Sequence, residues 1–361
     1  MSYNNYRRKS KKVKVGSIFV GGDAPLTVQS MTNVSSSDFS SLFKQIKELE
    51  EAKCDIVRMT VPDDVAVRNI AKLKESGVRV PLVADIHFNY RLAIESAAAG
   101  ADKIRINPGN IGDEDRVKAV VTACRNADIP IRIGVNGGSL EKELLQKYGS
   151  PTPEALVESA ICHIKLLEKF DFFNTIIAVK SSDVRNMIKA NRLLSEICDY
   201  PVHLGVTEAG THRLGTLRSA AGIGAMLCDG IGDTIRVSLT DNPVNEVIEG
   251  RALLRSLGLD ESSKIRVISC PTCGRTKINI IEIANQVEAR LSELKSDKPI
   301  TVAVMGCAVN GPGESKGADI GIAAGDGNAL LFKHGEVVCK LSEDVLIETL
   351  VNEVKKIIDQ K

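Results

Sequence analysis

The 361-residue sequence is short of most features that narrow a function by themselves. It has almost no charge imbalance: 47 Lys and Arg against 46 Asp and Glu leave a formal net charge of +1. Nothing global favours nucleic acid or an acidic membrane surface as a partner, so any anion binding has to be local. No apolar run long enough to span a membrane appears, and none of signal-peptide length follows the basic opening MSYNNYRRKSKKVKVG. The expectation is a cytoplasmic protein with a frayed basic tail. There is no internal repeat and no low-complexity tract. No GxGxxG follows an early strand, which weighs against a doubly wound sheet. Nine cysteines, an odd number without a secretion signal, argue for thiols or metal ligands rather than a disulfide framework.

Alternation is what the chain does have. Short β-rich runs begin at LTVQSM (26), IVRMTV (56), PLVADI (81), KIRINP (103), PIRIGV (130), TIIAVKS (175), PVHLGVT (201) and TIRVSL (234). Between them, stretches such as SLFKQIKELEEAKC and EALVESAICHIKLLEKF repeat apolar residues at three and four, the helical spacing. Strand and helix alternating in this way predict a (β/α)8 TIM barrel. LRSLGLDESSK reads as a linker, and the pattern after it predicts a smaller α+β domain. The expected domains are residues 1–258 and 259–361.

Barrel strands are covered on both faces, so a charged side chain within one has an outlet only at the C-terminal mouth, where active sites form. Arg58, Arg105, Arg132 and Arg236 each lie in such a strand, and each is expected near its carboxyl end. Period-two alternation puts Asn107 on the face of Arg105, Asn136 on that of Arg132, Ser238 on that of Arg236, and His87 on that of Asp85. Lys180 and His203 join the rim, and Glu208 follows the seventh strand in GVTEAG. Converging cations repel unless an anion sits among them, and guanidinium forks suit phosphate oxygens. A phosphorylated, diphosphorylated substrate is inferred. A single arginine could equally pair with an acidic neighbour as support, and Lys180 also fits a Schiff-base lysine of an aldolase barrel.

The second unit carries CPTCGRT, with Cys270 and Cys273 three positions apart. A CxxC alone leaves zinc, a redox dithiol and an iron-sulfur cluster open. Cys307, in VMGCAVNGPGESKGADIGIAAG, supplies a third thiol in a glycine-rich loop, while Cys339 lies in a strand-like segment without a turn. Cys54, Cys124, Cys162, Cys198 and Cys228 sit singly in apolar or helix-like contexts and read as packing. If the fourth ligand is oxygen, Glu314 is the candidate. Three thiolates and a carboxylate suit a 4Fe-4S cluster with one displaceable ligand better than structural zinc.

Taken together, CPTCGRT, MGCAVNGPGESKGADIGIA, VQSMTN, VADIHFN, IRINPGNIG, IRIGVN, YGSPTPEALVESA and GVTEAG resemble the bacterial 4-hydroxy-3-methylbut-2-enyl diphosphate synthases of the methylerythritol phosphate pathway. The similarity runs in order along nearly the whole chain. It implies reductive ring opening and dehydration of 2-C-methyl-D-erythritol 2,4-cyclodiphosphate. It further implies one 4Fe-4S cluster per chain on Cys270, Cys273, Cys307 and Glu314, with flavodoxin or ferredoxin as electron donor. A homodimer is also implied. In that setting Arg58, Arg105, Asn107, Arg132, Asn136, Lys180, His203, Arg236 and Ser238 are expected to bind substrate. Glu208 is expected to deliver a proton, with Asp85 and His87 orienting it. TNVSSSDFS, after the first strand, departs from the family's Thr and Asp run. The competing reading is a Lys180 aldolase with structural zinc.

Overall fold

The computed structural model describes residues 6–260, 264–276, 278–307, 317–324 and 328–359. It divides into two units, Met1–Leu253 and Leu254–Lys361. The first begins with an antiparallel hairpin, β1 (Val13–Val15) and β2 (Ile18–Val20). Eight parallel strands follow: β3 (Thr27–Met31), β4 (Ile56–Thr60), β5 (Leu82–Asp85), β6 (Lys103–Ile106), β7 (Ile131–Asn136), β8 (Thr175–Lys180), β9 (His203–Leu204) and β10 (Thr234–Ile235). They pair in the order β8-β7-β6-β5-β4-β3-β10-β9. A parallel bridge between Ile177 and Val202 brings β9 back to β8 and closes the ring. All eight expected strands are present. They were legible because strands buried on both faces read as near-continuous apolar runs, as in TIIAVK, where every residue is buried.

Helices α1 (Phe39–Glu51), α2 (Asp64–Glu75), α3 (Tyr90–Ala98), α4 (Pro108–Ile111), α5 (Glu114–Asn126), α6 (Lys142–Tyr148), α7 (Pro153–Glu168), α8 (Val184–Ile197), α9 (His212–Cys228) and α10 (Pro243–Ser256) run between and after the strands. Seven of them start at a side chain that accepts a backbone N–H of the first turn: Asp38, Asp63, Asn89, Asn107, Asp113, Thr152 and Asp183. Such caps satisfy donors that the helix itself leaves open. They fix where each crossover leaves the barrel's C-terminal rim.

From residue 6 onward the opening segment is not the frayed tail expected from its basic composition. Val13, Val15 and Val20 form one apolar cluster with Ile56, Val83 and Ile176, so the hairpin plugs the foot of the barrel. Arg7 Nη2 stands 2.7 Å from Asp233 Oδ1, with side chains only 4% and 2% exposed. Arg8 donates to the carbonyls of Cys198 and Tyr200. The reason is electrostatic: Asp233 is buried at the foot of β10, and the tail's arginines neutralise it. The single cysteines also divide: Cys54 and Cys124 are buried and Cys198 half-buried, but Cys162 and Cys228 are exposed. Cys162 falls on the outer side of α7, and Cys228 ends α9.

The second unit holds a five-stranded sheet, β11 (Ile265–Ser269), β12 (Ile300–Met305), β13 (Ile320–Ala324), β14 (Ala329–Lys333) and β15 (Glu336–Leu341), in sequence order. The first three are parallel and the last two antiparallel. Helices α11 (Ile280–Ser292) and α12 (Glu343–Asp359) place Val287, Leu291, Leu346 and Leu350 against Val302, Ile322 and Leu331 in one core. Helix periodicity and strand alternation both point their apolar residues into it.

Candidate active site

Register decides what faces the barrel's interior. In a parallel pair, partner residues share a side, and β10-β3, β3-β4, β5-β6, β6-β7 and β7-β8 pair Thr234 with Thr27, Met31 with Arg58, Asp85 with Arg105, Arg105 with Arg132, and Asn136 with Lys180. Above the pair Thr27 and Thr234, the other side chains converge on a cavity of about 220 Å³ lined by Met31, Arg58, Thr60, Asp85, His87, Arg105, Arg132, Gly134, Asn136, Ala178, Lys180, Thr207, Arg236 and Ser238. Two glycines make room for it. A Cβ on Gly134 would stand 2.7 Å from Arg105 Nε, and one on Gly205 would stand 2.7 Å from Lys180 Nζ and 3.0 Å from the Arg236 carbonyl. A larger cleft of about 520 Å³ lies at the C-terminal halves of α7 and α8. Its Arg8 is bonded to two carbonyls, and its Glu168 accepts from Tyr200 Oη at 2.8 Å.

The cations fall into two sets. Arg105 Nη1 donates to Asp85 Oδ1 at 2.9 Å and Arg58 Nε stands 3.5 Å from Asp85 Oδ2, with His87 Nε2 at 3.9 Å. Arg236 makes a bidentate pair with Glu246 of α10, at 2.9 and 2.8 Å, and Glu246 also accepts from Ser30 Oγ and the Leu239 amide. Arg132 and Lys180 have no carboxylate within 4 Å among the described residues. Arg132, 1% exposed, reaches Gln29 Oε1 at 3.4 Å. It is the second residue of β7, not near its carboxyl end as expected; the stagger of a tilted barrel sets it level with Arg105.

Burial by itself would raise the Asp85 carboxyl, but Arg58 and Arg105 outweigh it and hold the group at about 2. Arg58 is lowered to about 10 by burial, with Asp85 opposing and Arg236 and Arg105 adding to the fall. Burial first, then Arg132 and Arg58, pushes Lys180 well below its ordinary value. The chamber holds more positive charge than its own carboxylates balance.

Two loops at the mouth are held from behind. Asn107 caps α4 by accepting from the Gly109 amide at 3.1 Å, and its Nδ2 donates to Ser139 Oγ at 3.2 Å. It ties two loops together and does not line the cavity. Glu208 sits at φ 52, a left-handed backbone that costs a side-chain-bearing residue energy. Its loop is pinned on both sides: Thr207 N donates to Ser181 O, Arg218 to Ala209 O, and Thr240 N to Gly210 O. His203 lies deeper still, fully buried, with Nδ1 3.4 Å from Thr234 Oγ1.

In the second unit, parallel pairing of Ser269 with Val304 brings the ends of β11 and β12 side by side. The Gly306 amide donates to Cys270 Sγ at 3.1 Å, and a Cβ on Gly306 would press Thr276 and Ile280 at 3.0 Å. Only glycine lets the CPTCGRT loop approach the turn into Cys307 so closely. Cys273 is exposed, and the backbone and side chain of Arg275 lower its thiol from the ordinary value. Among the described residues no three His, Cys, Asp or Glu side chains form a ready metal site. Glu314 lies outside the described residues. The donor chemistry does fit a thiophilic cluster: a half-buried Cys270 sulfur with a backbone N–H bond, a Cys273 thiol biased toward thiolate, and Cys307 next in sequence to the Gly306 amide that makes that bond.

Comparison with known proteins agrees with this architecture. The model of the GcpE TIM-barrel domain matches residues 10–251, and that of the GcpE protein C-terminal domain matches residues 266–356. The chain belongs to the GcpE family. A relative from Caldanaerobacter subterraneus subsp. tengcongensis, named 4-hydroxy-3-methylbut-2-en-1-yl diphosphate synthase (flavodoxin), is 54% identical over 98% of this chain and 99% of its own. Relatives of the same name from Clostridium perfringens and Bacillus pumilus are 55% and 51% identical, over 97% and 100% of this chain and 99% and 96% of their own. Among solved structures, a type I 3-dehydroquinate dehydratase from Clostridium difficile aligns with TM-score 0.51 and 17% identity over 69% of this chain and 98% of its own, a likeness of fold alone.

Within this GcpE barrel, nine residues singled out from sequence line one cavity: Arg58, Asp85, His87, Arg105, Arg132, Asn136, Lys180, Arg236 and Ser238. Asn107, His203 and Glu208 do not line it. Met31 and Thr60 were reachable by the same alternation, two residues from Gln29 and Arg58. Glu246 gave no such signal, because it arrives from a helix, and Lys103 was passed over at the foot of β6. Among the described residues, no helix is long and apolar enough to cross a membrane.

Proposed function

We infer that the protein is a 4-hydroxy-3-methylbut-2-enyl diphosphate synthase. It opens the ring of 2-C-methyl-D-erythritol 2,4-cyclodiphosphate reductively, with loss of water, to give (E)-4-hydroxy-3-methylbut-2-enyl diphosphate. The observation that carries this is the cavity at the barrel mouth, whose cations exceed its carboxylates and call for a multiply charged anion. Arg132 and Lys180, without carboxylate partners, are the groups that bind diphosphate oxygens. Arg58 and Arg105 are aimed by Asp85, and Arg236 by Glu246, so their remaining N–H groups stay fixed as charge builds on the diphosphate during C–O cleavage. Asn136 and Ser238 add hydrogen bonds from the same face. Glu208, on its pinned loop, holds the proton for the departing hydroxyl.

Cys270, Cys273, Cys307 and Glu314 would hold one 4Fe-4S cluster, which supplies electrons to the substrate when bound; reduced flavodoxin, the donor in the names of the relatives, fits as the source. The reading places the enzyme in the cytoplasm as a homodimer. An aldolase acting through Lys180 gives way to it. A protonated imine there would add a cation to a chamber already holding four arginines, and the full-length relatives are named as synthases of this diphosphate. The test is anaerobic purification followed by visible absorption, iron and sulfide analysis, then turnover of the cyclodiphosphate with reduced flavodoxin. About four irons per chain with product formation is expected. A colourless protein with about one zinc per chain, trapped by borohydride at Lys180, would overturn the assignment.

A further inference from the structure

Beneath the cavity lies a second polar layer that the reaction as described leaves unused. Lys103 is fully buried, two residues before Arg105 and therefore on the same inward face. Its partner in β5 is Val83, which belongs to the apolar plug, so its side chain rises from the plug toward the cavity floor. Lys103 Nζ has no hydrogen-bond partner among the described residues. The same is true of Arg132 Nε, Gln29 Nε2, Thr27 Oγ1 and His203 Nε2 around it. Buried polar atoms are almost always paired, and a cluster of orphans in one layer marks a place where the empty barrel is electrostatically incomplete.

The charges that act most strongly on Lys103 are positive. From β4 and β7 come Arg58 and Arg132, from β8 Lys180, and from β9 the buried His203; β3 and β10 offer only Gln29, Thr27 and Thr234. Arg236 of β10 is engaged by Glu246 above. Asp85 of β5 is spent on Arg58 and Arg105, and Asp102, next in sequence, pairs with Lys74 and accepts from the Leu82 amide at 2.7 Å. Asp102 still draws on Lys103, but more weakly than Arg132 and Arg58 repel it.

We propose that Lys103 is a charge-balancing residue of the diphosphate site: it is neutral while the cavity is empty and takes a proton when the anion binds above it. The proton comes from solvent, an N–H bond forms at Nζ, and the buffer is left with the conjugate base. Burial, then Arg132 and Arg58, drive the empty-state ammonium well below its ordinary value against the weaker pull of Asp102, and a polyanion over Arg132 cancels the largest of those fields. The residue touches no substrate; it acts through Arg132. The effect is to relieve self-repulsion in the empty barrel without weakening the cation field that meets the diphosphate.

This inference rests on the diphosphate reading of the cavity, and calorimetry with inorganic pyrophosphate separates the two. Titrations of the full chain in buffers of different ionisation enthalpy give the protons taken up on binding. At pH 8 pyrophosphate itself carries a proton that the cation-rich site can release, so the readout is the difference in net proton exchange between wild type and a Lys103 variant. Lys103→Met, similar in length and uncharged, is expected to take up about one proton fewer per pyrophosphate bound than wild type. Lys103→Gln serves as a second variant should the first fail to fold, with folding checked by circular dichroism. Pyrophosphate binding with the same net proton exchange in a folded variant as in wild type overturns the role of Lys103 alone. No binding at all in wild type overturns the diphosphate reading and this inference with it.

Discussion

Asp85 offers the sharpest test of the charge arrangement. It is 2% exposed and stands between Arg58 and Arg105, at 3.5 and 2.9 Å. Its carboxyl falls from 3.8 in the unfolded chain to about 2 in the barrel, which corresponds to about 2 kcal/mol of stability. Because the folded value is the lower one, that contribution is complete above 3.8 and disappears as pH drops through about 2. Asp85→Asn goes further, since it leaves two buried guanidinium groups facing Arg132 and Lys180 with no counter-charge. Breaking a buried ion pair in this way costs about 3 to 5 kcal/mol. Urea unfolding followed by circular dichroism at pH 7 should show that loss. Adding pyrophosphate at a hundred times its Kd should return about 2.7 kcal/mol, and its affinity should rise in the variant because the forks held by Asp85 are freed. A variant as stable as wild type, with unchanged pyrophosphate affinity, would refute the view that Asp85 is the counter-charge of the empty site.

Three further outcomes follow from separate parts of the molecule. Gly205→Ala should drive a Cβ into Lys180 Nζ and the Arg236 carbonyl, costing about 1 to 3 kcal/mol and raising KM for the cyclodiphosphate more than it lowers kcat; steady-state kinetics with thermal melts check both. Arg7→Ala should strip the buried Asp233 of its closest cation and cost about 3 to 5 kcal/mol in urea unfolding, although Arg7 lies at the opposite end of the barrel from the cavity. Glu208→Gln should bind pyrophosphate as wild type does while turnover falls by roughly 10² to 10⁴. Glu208→Gly should lose turnover equally but melt higher, because φ 52 suits glycine and strains glutamate.

How much of this was legible in the chain depends on what each residue answers to. The barrel strands were, because coverage on both faces leaves an uninterrupted apolar run. The nine cavity residues were, because period-two alternation carries an arginine's face to the residue two places on. Arg236 was read as a substrate ligand, with an acidic partner left open for any one arginine, and Glu246 as that partner was invisible: the two are ten residues apart, joined by a turn whose path no local pattern specifies. The depth of Arg132 depends on stagger between strands, which is a property of closure and not of any one strand. The tail misled because its arginines look solvated until Asp233, far along the chain, supplies the counter-charge. Glu314 lies in a segment outside the described residues, so its role rests on the motif alone.

The latch between Arg7 and Asp233 also bears on how the protein comes into being. The two residues are 226 positions apart, and the ribosome delivers the first long before the second. At roughly 5 to 20 residues per second, the plug strands wait about 10 to 45 seconds for the last barrel strand. Throughout that interval Val13, Val15, Val20 and the feet of Ile56, Val83 and Ile176 belong to a growing chain whose ring cannot yet close. This early segment is thus among the last to be secured, and completion of the barrel is marked by the docking of strands made long before it.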